Sequence, residues 1–318
     1  MCRSLIRNAG LLAVVALAGL TAGCDIRGDG TPSGQPDVAE AVDGAAAMEM
    51  AVLPPAEISY YPPGEYLENG FPVTPSPRSA RFDHGLQISA RQVSQAEYAQ
   101  CVQDGGCRPL DRGFRDLAAP DMPAVGVSWR DATDYATWLS ARTGRHYRLP
   151  AYEEWVYAAG AAYKEDVILE KFDPADPAQR WLAEYALETQ RKATVDATLR
   201  VFGGFGRNEH GLLDMAGNVW DWTDTCFARH VVVPGLVEGA GSVSGSAAGG
   251  AAQDGAAENC GIRVVAGPHR SYITDFMRDP KAGACSVGVP PSHLGFRLVL
   301  DAGDAPKPPG LRERLGIS

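Results

Sequence analysis

The segment Asn208-Glu-His-Gly-Leu-Leu-Asp-Met-Ala-Gly-Asn-Val-Trp-Asp-Trp-Thr223 constrains this chain most, because it sets acidic and amide oxygens, turn glycines and two tryptophans at fixed offsets. A hard cation takes several oxygens from one tight turn, and glycine lets the backbone fold tightly enough to supply them. Trp220 and Trp222 read as core anchors rather than substrate contacts, since each brings a large apolar area to a short segment.

Several other segments carry helix signals. Ser94-x-x-Glu97 forms a capping box ahead of Tyr98, Cys101 and Val102, which predicts a short helix. Ser128-x-x-Asp131 is an acidic variant, followed by Ala132, Tyr135, Trp138 and Leu139 at helical spacing until Gly144 ends the run. In Arg148 to Ala159, Pro150 presets the entry and Tyr152, Trp155, Val156 and Ala159 form one apolar face, but Ala151 at the cap forfeits about 1 kcal/mol. Asp176-Pro177, with Trp181, Leu182 and Tyr185 at helical spacing, predicts a further helix.

The N-terminus reads as a targeting segment. Arg3 and Arg7 precede the apolar run Ala9 to Ala22, which has the length of a signal-peptide core, and Thr21-Ala-Gly-Cys24 resembles a bacterial lipobox. Residues 1–23 are therefore expected to be removed and Cys24 lipidated, with an ordinary signal peptide ending near a cysteine as the alternative. This places the protein on the periplasmic face of the bacterial envelope, and Asp25 favours retention at the inner membrane. Residues 24–55 lack aromatic residues and are rich in Gly, Pro, Ala and acidic groups, so a disordered tether is expected, reaching about 30 Å. Loss of Arg3 and Arg7 would take the net charge from -10 to -12, which argues against nucleic-acid binding. Residues 303–318 are read as a C-terminal tail.

The central motif does not stand alone. Ile88 to Tyr98, Pro123 to Arg148, Arg148 to Ala159, Arg263-Val-Val-Ala-Gly267 and Leu294-Gly-Phe-Arg-Leu298 accompany it in order, and together they resemble the sulfatase-modifying-factor family, the formylglycine-generating enzymes and their relatives. The resemblance implies a single irregular α+β domain, related to C-type lectins, over residues 56–302, with short helices and antiparallel sheets. It also implies structural calcium held by Asp214, the carbonyls of Gly217 and Val219, and Asp221, which is one methylene shorter than the family's usual Glu. Parallels in relatives pair Cys101 with Cys107 and Cys226 with Cys260. The second bridge would close a loop whose residues 237–258, rich in Gly, Ala and Ser, are expected to be flexible, restricting the unfolded chain by about 3 kcal/mol. Cys285 is left as a buried thiol, a reactive one, or an alternative partner of Cys226 or Cys260.

The family's oxidase binds copper through two cysteines that follow the R-V-x-R-G-G segment, whereas Gly267 to Arg278 here contains no cysteine. Read without gaps, Tyr272 and Met277 fall near those positions and Arg278 on a family arginine; a gapped reading puts Pro268 and Ile273 there. Neither supplies thiolates for Cu(I), so copper is not expected. Other branches carry non-haem iron on a histidine cluster, but none of the six histidines here is in HxxxH or HxH spacing, so iron is not expected either. His269, Arg270, Ser271, Tyr272, Asp275, Arg278 and Cys285 are the candidate functional residues, with a surface or supporting polar network as the plain alternative.

The function implied is that of a membrane-tethered maturation or accessory factor, acting on or binding an exported client protein. Some relatives serve periplasmic siderophore maturation, and similar sequences accompany denitrification enzymes such as copper nitrite reductase. The alternatives are a non-catalytic peptide- or ligand-binding module, and a formylglycine-generating oxidase with a rearranged site.

Overall fold

The computed structural model describes residues 48–115, 121–164, 176–194, 196, 198–232, 243–244, 256–280 and 291–301, all within one compact unit, Ala45–Ser318. Residues 1–47, including Cys24, and Cys285 and the 303–318 tail lie outside the described residues.

Three sheets form the frame. The first is antiparallel, in the order β1 (Met50–Leu53), β6 (Leu86–Ser89), β13 (Val299–Leu300), β7 (Tyr147–Arg148). The second pairs β2 (Ala56–Tyr60) antiparallel to β5 (Arg78–Phe82), with β9 (Val243–Ser244) parallel on the far side of β5. The third runs β11 (Ser271–Thr274), β10 (Ala257–Ala266), β8 (Trp220–Val232), β3 (Glu65–Glu68), β4 (Phe71–Pro72), and β12 (Leu294–Gly295) also joins β8. The β3 and β12 pairings with β8 are parallel, as is β5 with β9, so the second and third sheets are mixed while the first is wholly antiparallel.

The helices are α1 (Gln95–Gln103), α2 (Arg112–Arg115), α3 (Trp129–Thr143), α4 (Tyr152–Ala159) and α5 (Pro177–Thr194). Both expected capping boxes form, and Gly144 ends α3 in the left-handed region at φ 69°. At α4 the missing cap is replaced from elsewhere in the fold. Tyr152 N donates to Thr225 Oγ1 of β8 at 2.8 Å, and Ala151 N donates to Glu154 at 2.7 Å.

Strand alternation divides the core between two faces of shared strands. Leu298, Leu300 and Val265 pack with Trp220, Trp222 and Phe296, while Val299, Val264 and Ala266 face Leu53, Ile88, Trp155 and Leu212. Because the same strands wall both clusters, they form one domain.

Two boundaries differ from the sequence reading. The tether assigned to residues 24–55 gives way to strand by Met50, which pairs with Ser89, and Leu53 is 2% exposed. Its overall Gly/Pro/Ala composition hid a local run of Met50, Val52 and Leu53. The 237–258 stretch contributes Val243–Ser244 to β9 and the start of β10 at Ala257, because short-chain residues can still extend a ladder. The helix α5 forms where expected, with Trp181, Leu182 and Tyr185 65%, 58% and 65% exposed.

Candidate functional site

The central motif becomes a turn leading into β8. Asp214 and Asn218 adopt left-handed backbone at φ 58° and 72°, and the Asp214 carboxylate accepts Gly203 N at 2.8 Å and Phe205 N at 2.7 Å. Trp220 and Trp222 are fully buried, donating Nε1 to the carbonyls of His269 and Val127. Between them Asp221 points into a polar pocket of the core. Its Oδ2 accepts Arg297 Nε at 2.7 Å, Trp155 Nε1 at 3.0 Å and Gln92 Nε2 at 3.5 Å. Asp221 Oδ1, Gln92 Oε1 and Arg297 Nη1 are buried without a hydrogen-bond partner among the described residues. Each such atom costs about 1–3 kcal/mol unless something satisfies it. An unpartnered carboxylate oxygen is a donor of the kind a hard cation takes, and Arg297 already balances one charge there.

The expected functional segment does not form a single groove. His269 is 5% and Ser271 1% exposed. Arg270 Nη1 donates to the carbonyls of Tyr61 and Pro62, and the Tyr272 hydroxyl accepts Gly64 N at 2.7 Å. Both residues hold the turn between β2 and β3. Gly267 precedes them because any side chain there would lie 2.5 Å from the Trp220 ring. Ile273 is fully buried in the Trp220 core, against which Met277 also packs, while Pro268 is exposed at the hairpin tip.

Beyond β11 the chain reaches a different site. Asp275 accepts Arg130 Nε at 2.9 Å, and Arg278 grips Asp131 with Nε at 2.7 Å and Nη2 at 2.8 Å. Arg108 adds a third guanidinium contact to Asp131 at 2.9 Å, and Ser128 donates its N–H and hydroxyl. Burial alone would raise the Asp131 carboxyl, but the hydrogen bonds from Arg278 and Ser128 outweigh it and hold Asp131 below the usual carboxylate range. The Arg278 guanidinium is correspondingly pushed up, chiefly by the same bond.

This network floors an open cleft of about 650 Å³ whose walls include Arg108, Asp111, Trp129, Arg130, Phe276 and Arg278. Phe276 is 58% exposed, and the Arg263 guanidinium lies 3.8 Å from the centre of the Trp129 ring. Among the described residues, the walls hold no cysteine, histidine, serine or lysine. Aromatic surface interleaved with charged pairs suits contact with a polypeptide better than nucleophilic chemistry. Of the described residues singled out from sequence, only Arg278 lines this cleft, with Asp275 held behind it by Arg130. Trp129 and Arg130 were visible as the first turn of α3, but nothing local marks Arg108, Asp111 or Phe276.

Comparisons with known proteins agree with the architecture. The family profile described as "Sulfatase-modifying factor enzyme 1-like domain" matches residues 42–302. "Inactive C-alpha-formylglycine-generating enzyme 2" of Bos taurus is 29% identical over 213 residues, 64% of this chain and 60% of that protein. "Formylglycine-generating enzyme" of Streptomyces coelicolor is 29% identical over 205 residues, 58% of this chain and 54% of that protein. The chain thus spans little more than half the length of these relatives. The structure of PvdO from Pseudomonas aeruginosa shares the fold, with a TM-score of 0.50 at 20% identity over 79% of this chain and 94% of that one. With the profile running from ahead of β1 to just past β13, the chain belongs to the sulfatase-modifying-factor family of formylglycine-generating enzymes and their inactive relatives.

Proposed function

We propose that this protein is an accessory factor of the family that binds an exported client through the Trp129–Phe276 cleft and does not itself oxidise a cysteine. One observation carries the reading: the segment that aligns with the oxidase's thiol pair is built as core and scaffold, with Ile273 buried and Tyr272 pinned to Gly64. Each register thus has one of its two positions taken up in this way, Ile273 in one and Tyr272 in the other, and neither holds a thiol. The signal segment and lipobox support a lipid anchor on Cys24 at the periplasmic face, and the resemblance suggests a client from denitrification.

Calcium is part of the proposal as a structural ion. Asp221 through Oδ1 and Asp214, with the carbonyls of Gly217 and Val219, would hold it, and the ion would neutralise two buried carboxylates beside Trp220. It supplies no chemistry to the cleft.

The client reading is tested by crosslinking the full protein in its native envelope and identifying the captured protein by mass spectrometry. Wild type should capture one exported protein, and Arg130→Glu and Phe276→Ala, both folded, should each lower that capture about tenfold, as loss of a central interface residue does. Undiminished capture by both variants overturns the reading.

A further inference from the structure

The helix α5 carries its amphipathic pattern reversed. Its half-buried positions, Arg180, Ala183, Glu184, Leu187 and Glu188, recur at helical spacing and mark the side turned towards the protein. That side holds the charge, including the Arg180–Glu184 ion pair at 3.0 Å. The opposite side, with Ala178, Trp181, Leu182, Tyr185, Ala186 and Thr189, is exposed and bears no charged residue. Trp181 and Tyr185 stand together on it, their ring centres 6.4 Å apart. A helix that simply meets water has the opposite arrangement, polar side out.

The chemistry of this face and the chain it belongs to narrow what covers it. The face is uncharged and led by tryptophan and tyrosine, whose apolar rings and polar edges suit the boundary between lipid headgroups and acyl chains. A protein partner would find no charge there to fix its register. Among the described residues no helix is long and apolar enough to cross a membrane, so a lipid contact by α5 lies in the plane of the surface. The Cys24 anchor supplies that surface. Even fully extended, the chain from Cys24 to Met48 reaches at most about 85 Å, so the domain meets its own bilayer continually and a weak apolar contact suffices.

We propose that α5 is an interfacial helix that lays Trp181, Leu182 and Tyr185 into the headgroup–acyl boundary of a phospholipid bilayer. The proposal rests on the Cys24 anchor for the bilayer it meets, and on α5 alone for the contact. The lipid at the chain's end sets distance, and the helix on the surface sets orientation. The contact is apolar rather than electrostatic, because the face bears no charge and a chain of net charge -10 is repelled by anionic headgroups. Raised salt, which screens that repulsion, therefore leaves the contact intact.

The contact is tested on the full mature chain in vesicles of phosphatidylethanolamine and phosphatidylglycerol whose acyl chains carry bromine near the carbonyl end, read by tryptophan emission. The other five tryptophans are buried or half-buried, so quenching should belong to Trp181 and be largely lost in Trp181→Phe. A second arm carries Cys24→Ser on the mature chain and measures co-sedimentation with unbrominated vesicles. Binding should persist at high salt and fall about tenfold in Leu182→Ser/Tyr185→Ser, with an unchanged melting temperature showing that the fold is kept. Absence of Trp181 quenching in a chain whose N-terminal peptide carries the lipid mass overturns the proposal and leaves the anchor established. Vesicle binding through α5, in a protein whose native form carries no lipid on Cys24, refutes the anchor and supports the helix contact. Binding that survives the double substitution overturns the proposal. So does self-association without vesicles that the same substitution abolishes, which would assign the face to a second copy of this chain.

Discussion

Asp131 is the residue on which the cleft depends. Its side chain is wholly buried, and Arg278, Arg108 and Ser128 converge on it from three segments. Asp131→Asn removes the charge while keeping the shape, leaving Arg278 only its exposed partner Asp111, and should lower stability by roughly 2–4 kcal/mol in urea unfolding at neutral pH. Acid should mimic this. The folded carboxyl is held below its ordinary value, so its contribution is complete above the unfolded pKa near 4, about 3.9, and is lost as pH falls through the lower folded value. The wild type should therefore lose more stability than Asp131→Asn over that acid window; parallel pH profiles would show that Asp131 is not the group responsible. Sequence marked this residue only as the third position of a capping box, which is a local fact. Its second role depends on Arg108 and Arg278, which no spacing rule connects to it.

At the scale of elements, what could be read early was what neighbours in sequence decide. The capping boxes at Ser94 and Ser128, the stop at Gly144 and the apolar faces of α3 and α4 all follow from residues within a few positions. The start of α4 was legible only in part. Ala151 correctly signals the absent cap, but its replacement, Thr225, is 73 positions away on β8. Thr225→Val keeps the strand's β-branched shape while removing the acceptor, and should cost about 1 kcal/mol of thermal or urea stability. A change within error would mean that Glu154 alone satisfies the helix start. The strand β1 was missed for a related reason: four residues of pairing were averaged into a long polar stretch. The cleft was missed because its walls come from the 108–111 turn, the first turn of α3 and the segment after β11. Only the packed sheets bring these together.

For the whole molecule, the family frame and the chemistry separate cleanly. The frame needs Trp220, Trp222, Phe296 and the Asp221–Arg297 pair, and all are in place. If calcium satisfies Asp221 Oδ1, chelator should lower the melting temperature of calcium-loaded protein by several degrees, as loss of a native-state ligand does, and Asp221→Asn should be insensitive to chelator. An unchanged melting temperature after verified calcium removal would leave the turn held by its tryptophans and Arg297 alone. The central claim concerns the segment from Gly267 to Arg278, where Ile273 is fully buried and Tyr272 is tied to the turn between β2 and β3. Its most direct test is incubation of the full mature chain with a cysteine-containing sulfatase peptide, copper and oxygen, read by the peptide's mass. The peptide should keep its thiol mass, because two thiolates cannot be assembled to hold Cu(I) beside a substrate sulfur. Accumulation of the formylglycine aldehyde would contradict the account.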